Sequence, residues 1–212
     1  MKAIFVPSLG EAGKIFPNVK FTEWKHGIMQ GEFRGYPVFI TGVSKTPVTF
    51  AATAVLGTFD ISEALLTGVC GAYRESGLSV GDVISVEKDY FADEGLYTEL
   101  GFESLFKMGF GFMGSRYISF SAFRDLPVAD SNTVSFLDGE GRISEILQKS
   151  TGASVENMEG AAFGYVCNML GIKSFQVRGV SNFCGNRTEQ QWNFKKAAAN
   201  LERVLDLSFS MQ

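Results

Sequence analysis

Short apolar runs alternate with segments of helical periodicity along all 212 residues, and this alternation restricts the fold more than any other feature. Ala3 to Ser8 reads as a buried strand that ends in a Gly-containing loop, Leu9 to Gly13. Residues 28–33 and 37–42 read as two strands joined at Arg34-Gly35-Tyr36. Thr46 and Pro47 supply the N-cap and first position of a helix running to about Phe59. Glu63 to Val69 is a short strand leading into the small residues Gly68 to Ala72, and Val83 to Phe91 is another strand. Glu140 to Ser150 reads as helix and Ala153 to Val155 as strand. Met158 to Leu170 reads as a helix with Met158, Ala162, Tyr165 and Met169 on one face. Lys173 to Ser181 is a last strand, and Thr188 with Gln191 forms a capping box for a final helix to about Phe209. Strands alternating with helices predict a three-layer α/β/α sandwich with a mixed, largely parallel central sheet. No linker or repeat divides the chain, so residues 1–212 are expected to form one domain. The Gly- and Phe-rich stretch 95–130 gives no clear pattern.

Composition excludes several function classes. A net charge of -4 and a pI of about 5.1 give no basic footprint for nucleic acid. No apolar run is long enough to span a bilayer. The start, Met1 to Pro7, suits a first core strand better than a leader peptide. Cys70, Cys167 and Cys184 are odd in number and lack metal-site spacing, which suits thiols in a reducing, cytoplasmic compartment. His26 is the only histidine and lies in a polar stretch that reads as a surface turn. Multi-histidine metal sites are therefore impossible, a histidine-based triad would rest on His26 alone, and carboxylates become the expected catalytic groups.

In sheets of this kind ligands bind beyond the carboxyl ends of the strands. Glu11, the Gly68 to Ala72 segment, Asn157 with Glu159, and Arg178 to Asn182 all fall there. Two carboxylates, an Asn and a Gly-rich loop suit glycosyl chemistry, in which one acid activates water and another holds sugar hydroxyls beside an oxocarbenium-like centre. No Walker loop is present. Each position also has a plainer reading. Glu159 sits among small residues where a helix begins, and an acid there either serves the helix start or holds a ligand. Glu11 reads equally as a solvated loop acid, Asn182 as a turn residue, Arg178 as an ion-pair partner and Phe136 as core.

Five motifs in order carry a resemblance. They are Glu156-Asn157-Met158-Glu159-Gly160-Ala161-Ala162, Arg178-Gly179-Val180-Ser181-Asn182, Gly185-Asn186-Arg187 followed by Trp192, Gly81-Asp82-Val83, and Phe91-Ala92-Asp93. Over nearly its whole length the chain resembles the nucleoside phosphorylase and nucleosidase superfamily. Within it, the chain is most similar to the futalosine hydrolases, relatives of the methylthioadenosine/S-adenosylhomocysteine nucleosidases. The resemblance implies that Glu11 positions or activates the attacking water and that Glu159 accepts hydrogen bonds from ribose hydroxyls. Met158 would pack on the sugar, Phe136 would stack on the base, and the Leu137 backbone would meet the purine edge. Val69, Cys70 and Gly71 would flank sugar and base, with Val69 standing where relatives carry Ser. Asn157 and Arg178 complete the implied site.

Asn182 stands where the adenosine-type enzymes have Asp. A carboxylate would face the carbonyl of a 6-oxopurine acceptor to acceptor, whereas an amide donates. Asn182 therefore favours hypoxanthine as the leaving base and is itself no useful acid. Arg187 has two open readings: a partner for a benzoate-like carboxylate on the substrate, or an organiser of the loop before the last helix.

The expected activity is hydrolysis of futalosine to hypoxanthine and dehypoxanthine futalosine in menaquinone biosynthesis, with no metal or organic cofactor and no partner beyond the purine nucleoside and other copies of the chain in a homo-oligomer. Gly42 to Lys45, the phosphate-site loop of the phosphorylases, lacks an Arg, which favours hydrolysis. The alternatives are a methylthioadenosine/S-adenosylhomocysteine nucleosidase, a purine nucleoside phosphorylase, and a nucleoside-binding protein without activity. Phe106 to Gly114 would line either the aromatic tail of the substrate or a subunit interface.

Overall fold

A computed structural model describes residues 1–99, 101–110, 115–137, 139, 141–186, 188 and 190–210. Its first half comprises β1 (Lys2–Val6), α1 (Leu9–Ile15), β2 (Thr22–Lys25), β3 (Ile28–Phe33), β4 (Tyr36–Ile40), α2 (Lys45–Leu56), β5 (Glu63–Ala72) and β6 (Val83–Phe91). The second half comprises β7 (Gly95–Thr98), β8 (Gly101–Ser104), β9 (Tyr117–Ser119), β10 (Val128–Thr133), α3 (Arg142–Thr151), β11 (Val155–Asn157), α4 (Gly160–Met169), β12 (Lys173–Phe183) and α5 (Phe194–Ser210).

Ten strands form one mixed sheet in the order β11-β10-β6-β12-β5-β1-β4-β3-β2, with β9 on β6. Its centre, β4-β1-β5-β12, is parallel throughout. Side-chain alternation divides the core into two layers. Ala3, Phe5, Phe39 and Leu66 face α2 and α4, where they meet Val48, Val55, Phe163 and Val166. Ile4, Val6, Val38 and Leu65 face α1 and α5, where they meet Ala12, Ile15, Leu201 and Leu205. Because both faces are covered, β1 and β4 run apolar over consecutive positions, Ala3 to Val6 and Val38 to Ile40, rather than at every second one.

β5 runs on after β1 has ended, and its last residues pair with β11. The strands β5, β12, β6, β10 and β11 therefore close into a ring at one end of the sheet. A bulge between Val180 and Asn182 shifts the register of β12 at the rim of that ring. Such bulges re-aim the side chains that follow them.

The structure corrects several element boundaries. The predicted loop after β1 is helix α1, N-capped by Ser8, whose hydroxyl accepts from Glu11 N at 3.2 Å. The N-cap of α2 is Ser44, not Thr46. On α4 the apolar surface is broader than the expected stripe: Phe163, Val166 and Cys167 are buried, while Met169 is 62% exposed. Thr188 does not start α5; that helix begins at Phe194, where Asn193 Oδ1 accepts from Lys196 N. β2 was not anticipated, and His26 takes a left-handed backbone (φ 54°) in the turn between β2 and β3. No described helix is long and apolar enough to cross a membrane.

Candidate active site

A cavity of about 220 Å³ opens at the rim of the strand ring. Glu11, Val69, Glu156, Glu159, Asn182 and Trp192 are among the residues that line it, together with Met158 and Leu137.

Glu159 occupies the N-cap position of α4, but its carboxylate makes no capping hydrogen bond. Asn157 caps instead: its Oδ1 accepts from Glu159 N at 2.8 Å and from Gly160 N at 2.6 Å, and Thr133 Oγ1 accepts from Ala161 N at 2.8 Å. With the first helical N–H groups satisfied this way, the Glu159 side chain is released toward the cavity. It accepts there from Ser44 N at 3.1 Å and from Arg178 Nη2 at 3.3 Å. Ser44 holds φ 89° and ψ 161°, a region that L residues rarely occupy, so its amide is presented to Glu159 at a cost in backbone strain.

Beneath Glu159 lies a buried polar network. Arg178 is fully buried; it donates to Asn157 Oδ1 at 3.0 Å and to Glu159. Asn157 in turn donates to Asp89 Oδ2 at 2.8 Å. Asp89 also accepts from Gln176 Nε2 at 2.8 Å and Thr133 Oγ1 at 2.7 Å. Burial pushes the Asp89 carboxyl up to about 6, against the opposing effect of these hydrogen bonds and of Arg178. Gly160 is a geometric necessity here. A methyl group at that position would collide with Asp89 Oδ2 and with the Gln176 amide, whose Nε2 would lie 2.6 Å away.

Glu11 sits in the first turn of α1. One carboxylate oxygen accepts from Val69 N at 3.0 Å and the other from the Ser8 hydroxyl at 2.8 Å. Burial raises its pKa above the ordinary value; the Glu159 charge adds to the rise, while the Val69 and Ser8 hydrogen bonds and Arg178 oppose it. A carboxylate whose pKa is raised is a stronger base than an ordinary one, which suits it to accept a proton.

At the far end of the cavity the Ser181 hydroxyl donates to Asn182 Oδ1 at 2.8 Å, and Asn182 Nδ2 donates to the Phe183 carbonyl at 3.0 Å. An amide nitrogen has two hydrogens, so this orientation leaves one for a ligand.

The structure brings together most of the residues singled out from sequence. Glu11, Val69, Cys70, Gly71, Leu137, Asn157, Met158, Glu159 and Asn182 all line the cavity. Two do not. Phe136 is 41% exposed and is not among the residues that line the cavity. Arg178 is fully buried behind Glu159 and does not line the cavity; its Nη2 donates to Asn157 and Glu159. Arg187 lies outside the described residues. Sequence reasoning missed Asp89, which ends the charged run Glu87-Lys88-Asp89 and carries no local mark that sets it apart from its neighbours. It also missed the cavity-lining role of Glu156, which passed as part of a motif. Burial pushes the Cys70 thiol up to about 12, which makes it a poor nucleophile. No described group of His, Cys, Asp or Glu has the geometry to hold a metal ion.

The phosphorylase superfamily pattern matches residues 3–210. The chain is 32% identical to a futalosine hydrolase of Thermus thermophilus over 184 residues, 81% of this chain and 80% of that one. It is 27% identical to a 5'-methylthioadenosine/S-adenosylhomocysteine nucleosidase of Thermotoga maritima, over 78% of this chain and 72% of that one. Among solved structures, a futalosine hydrolase mutant of Helicobacter pylori superimposes with a TM-score of 0.77 at 18% identity, covering 99% of this chain and 97% of that one. The Helicobacter pylori 5'-methylthioadenosine/S-adenosylhomocysteine nucleosidase gives a TM-score of 0.79 at 18% identity, covering 100% and 98%. The fold is that of these nucleosidases, and the chain belongs to the phosphorylase superfamily, within which it is a homologue of futalosine hydrolase.

Proposed function

We propose that this chain is an N-ribosidic hydrolase that cleaves futalosine to hypoxanthine and dehypoxanthine futalosine, a step of menaquinone biosynthesis. The carrying observation is the convergence of two buried acids, Glu11 and Glu159, on one cavity whose opposite end is formed by an Asn amide. The 32% identity to a futalosine hydrolase supports the substrate.

In this reading Glu159, held by Arg178 and Ser44 N, accepts from ribose hydroxyls, and Met158 packs on the sugar. Water attacks C1′ as the C1′–N9 bond breaks and its electron pair passes to the base. Glu11 takes the proton of that water, and its raised pKa suits the task. Asn182 donates to the oxo or ring-nitrogen edge of hypoxanthine. Hydrolysis rather than phosphorolysis is supported by the loop at Gly42 to Lys45. Its Ser44 N–H is already given to Glu159, and its Lys45 ammonium is engaged by Asp93 and Glu94. Exposed Phe106 and Phe110 beside the β7–β8 hairpin suit burial in a homo-oligomer, and three buried thiols suit a reducing cytoplasm.

A substrate panel tests the reading: futalosine, inosine, methylthioadenosine and S-adenosylhomocysteine, with and without phosphate, scored for free base. Hypoxanthine release from futalosine, fastest in the panel and independent of phosphate, is expected. Adenine release at equal or greater rate would assign the chain to the adenosine-type nucleosidases. A strict phosphate requirement would make it a phosphorylase, and tight binding with no base released would make it a binding protein.

A further inference from the structure

Glu156 is a second recognition group for the base. Its position follows from the register of three strands. Gly71 on β5 pairs with Asn182 on β12 at one side and with Glu156 on β11 at the other. Residues paired across neighbouring strands present their side chains to the same face. Asn182 and Glu156 therefore flank a residue with no side chain, about 9 to 10 Å apart along the sheet from one Cα to the other. Both line the cavity, and both are more than nine-tenths buried. Cys184 packs close over Gly71, so only glycine fits there: a methyl on Gly71 would lie 2.7 Å from Cys184 Sγ and 3.4 Å from Asn182 Nδ2. Glu11, by contrast, is bonded to Val69, two residues back along β5, which separates the sugar end of the cavity from this end.

The Glu156 carboxylate is held in place. The Tyr73 hydroxyl donates to its Oε2 at 3.0 Å, and Asn132 Nδ2 donates to that hydroxyl at 2.9 Å. Burial and the Glu156 charge keep the Tyr73 phenol protonated, well above its ordinary range, so it remains a donor. A carboxylate oxygen fixed in this way is presented as a hydrogen-bond acceptor.

We propose that Glu156 accepts the N1–H of a 6-oxopurine while Asn182 donates to the adjacent O6, so that the pair across Gly71 selects hypoxanthine over adenine. Hypoxanthine presents acceptor and donor on neighbouring atoms, and Asn182 and Glu156 offer the complement in the same order. Adenine presents the reverse, an exocyclic donor and an N1 lone pair, and the lone pair meets a carboxylate. Mismatched buried polar groups are expensive, so one edge of the base is enough to discriminate. This inference rests on the proposed release of hypoxanthine and names the residue that chooses it.

The test reads binding of the free bases, which needs no turnover. Isothermal titration of hypoxanthine and adenine is compared between the wild-type chain and Glu156→Gln, whose amide oxygen still accepts from Tyr73. The variant is expected to lose roughly 10- to 100-fold in hypoxanthine affinity and to bind adenine more tightly than the wild type does. Unchanged hypoxanthine affinity with an unchanged preference overturns the proposal. A second measurement needs no variant: 1-methylhypoxanthine, which has no N1–H, is expected to bind the wild-type chain at least about tenfold more weakly than hypoxanthine, and equal binding overturns the proposal. The two readings fail separately. Futalosine cleavage with a Glu156-independent preference refutes this inference alone. Absence of futalosine cleavage beside a Glu156-dependent preference for hypoxanthine refutes the activity alone.

Discussion

Replacing Arg178 with Met tests the buried network directly. Arg178 is fully buried and Glu159 nearly so, with 3.3 Å between the charged atoms. At an effective dielectric of about 20, two unit charges at that separation attract by about 5 kcal/mol. Met fills much of the same volume, so the change removes charge and hydrogen bonds more than packing. Glu159 would keep the Ser44 amide, and Asn157 Oδ1 the two backbone donors at the start of α4 and the Thr133 hydroxyl at 3.4 Å. Leaving one partner of a buried pair uncompensated costs about 3–5 kcal/mol. The measurement is equilibrium denaturation of wild type, Arg178→Met, Glu159→Gln and the double variant. Arg178→Met is expected to lose about 3–5 kcal/mol, and the double variant to lose less than the two single losses combined, by about 2 kcal/mol. Arg178→Met is also expected to lower kcat without touching the cavity, because Glu159 loses its orientation. Wild-type stability in Arg178→Met, or additivity of the single losses within about 0.5 kcal/mol, would refute the coupling.

Three further outcomes follow from the same geometry. Gly160→Ala places a methyl against Asp89 and Gln176 and is expected to cost at least about 3 kcal/mol in a denaturant titration; a loss under about 1 kcal/mol would mean that the network yields easily. Asp89 carries a folded-state pKa of about 6 against an ordinary 3.8, so between those values the folded chain holds a proton that the unfolded chain releases. This group's contribution therefore makes stability fall as pH rises from about 4 to about 6, by about 3 kcal/mol in all, and Asp89→Asn should remove that component from the stability–pH curve. Glu11→Gln keeps an acceptor for Val69 N and turns the Ser8 contact round, the amide N–H donating to the hydroxyl, while removing the base, so kcat is expected to fall by about 10² to 10⁴ with no loss of melting temperature; near-wild-type turnover would exclude Glu11 as the proton acceptor.

The parts legible in the sequence are those decided by local pattern. β3 and β4 alternate on either side of a turn with left-handed Arg34 and Gly35, and β6 was delimited to the residue. The parts that were not legible depend on partners far along the chain. α1 contains two glycines in seven residues and stands because Ser8 caps it and α5 covers it. β10 reads as a loop because Ala129 is flanked by Asp130, Ser131, Asn132 and Thr133. Ser131, Asn132 and Thr133 are nevertheless fully buried, with hydrogen bonds to Asn157, Tyr73 and Asp89 from three other segments, although Asn132 Oδ1 has no partner among the described residues. Polarity signals exposure only where no such partners arrive. Arg178 was visible as a site residue, but not its place behind Glu159, which is fixed by the pairing of β12 with β5.

That placement has a consequence for the proposed chemistry. Three carboxylates, Glu11, Glu156 and Glu159, line the cavity, and among the described lining residues none is cationic. Burial raises the pKa of Glu11, so holding its negative charge in the fold costs free energy. In N-ribosidic cleavage the sugar becomes positively charged as C1′–N9 breaks, and fixed negative groups in a dry site favour that state without reorganising. A guanidinium in the cavity wall would orient Glu159 equally well but would repel the developing cation. Behind Glu159, with no exposed surface, Arg178 fixes the carboxylate while the carboxylate stands between it and the sugar. The same reasoning sets stability against rate at Glu11, whose charge is opposed by burial. Glu11→Gln relieves the folded chain of that buried charge and removes part of the field that the cationic sugar needs, so it should not lower stability as it lowers turnover, whereas Glu159→Gln lowers both because it strands Arg178.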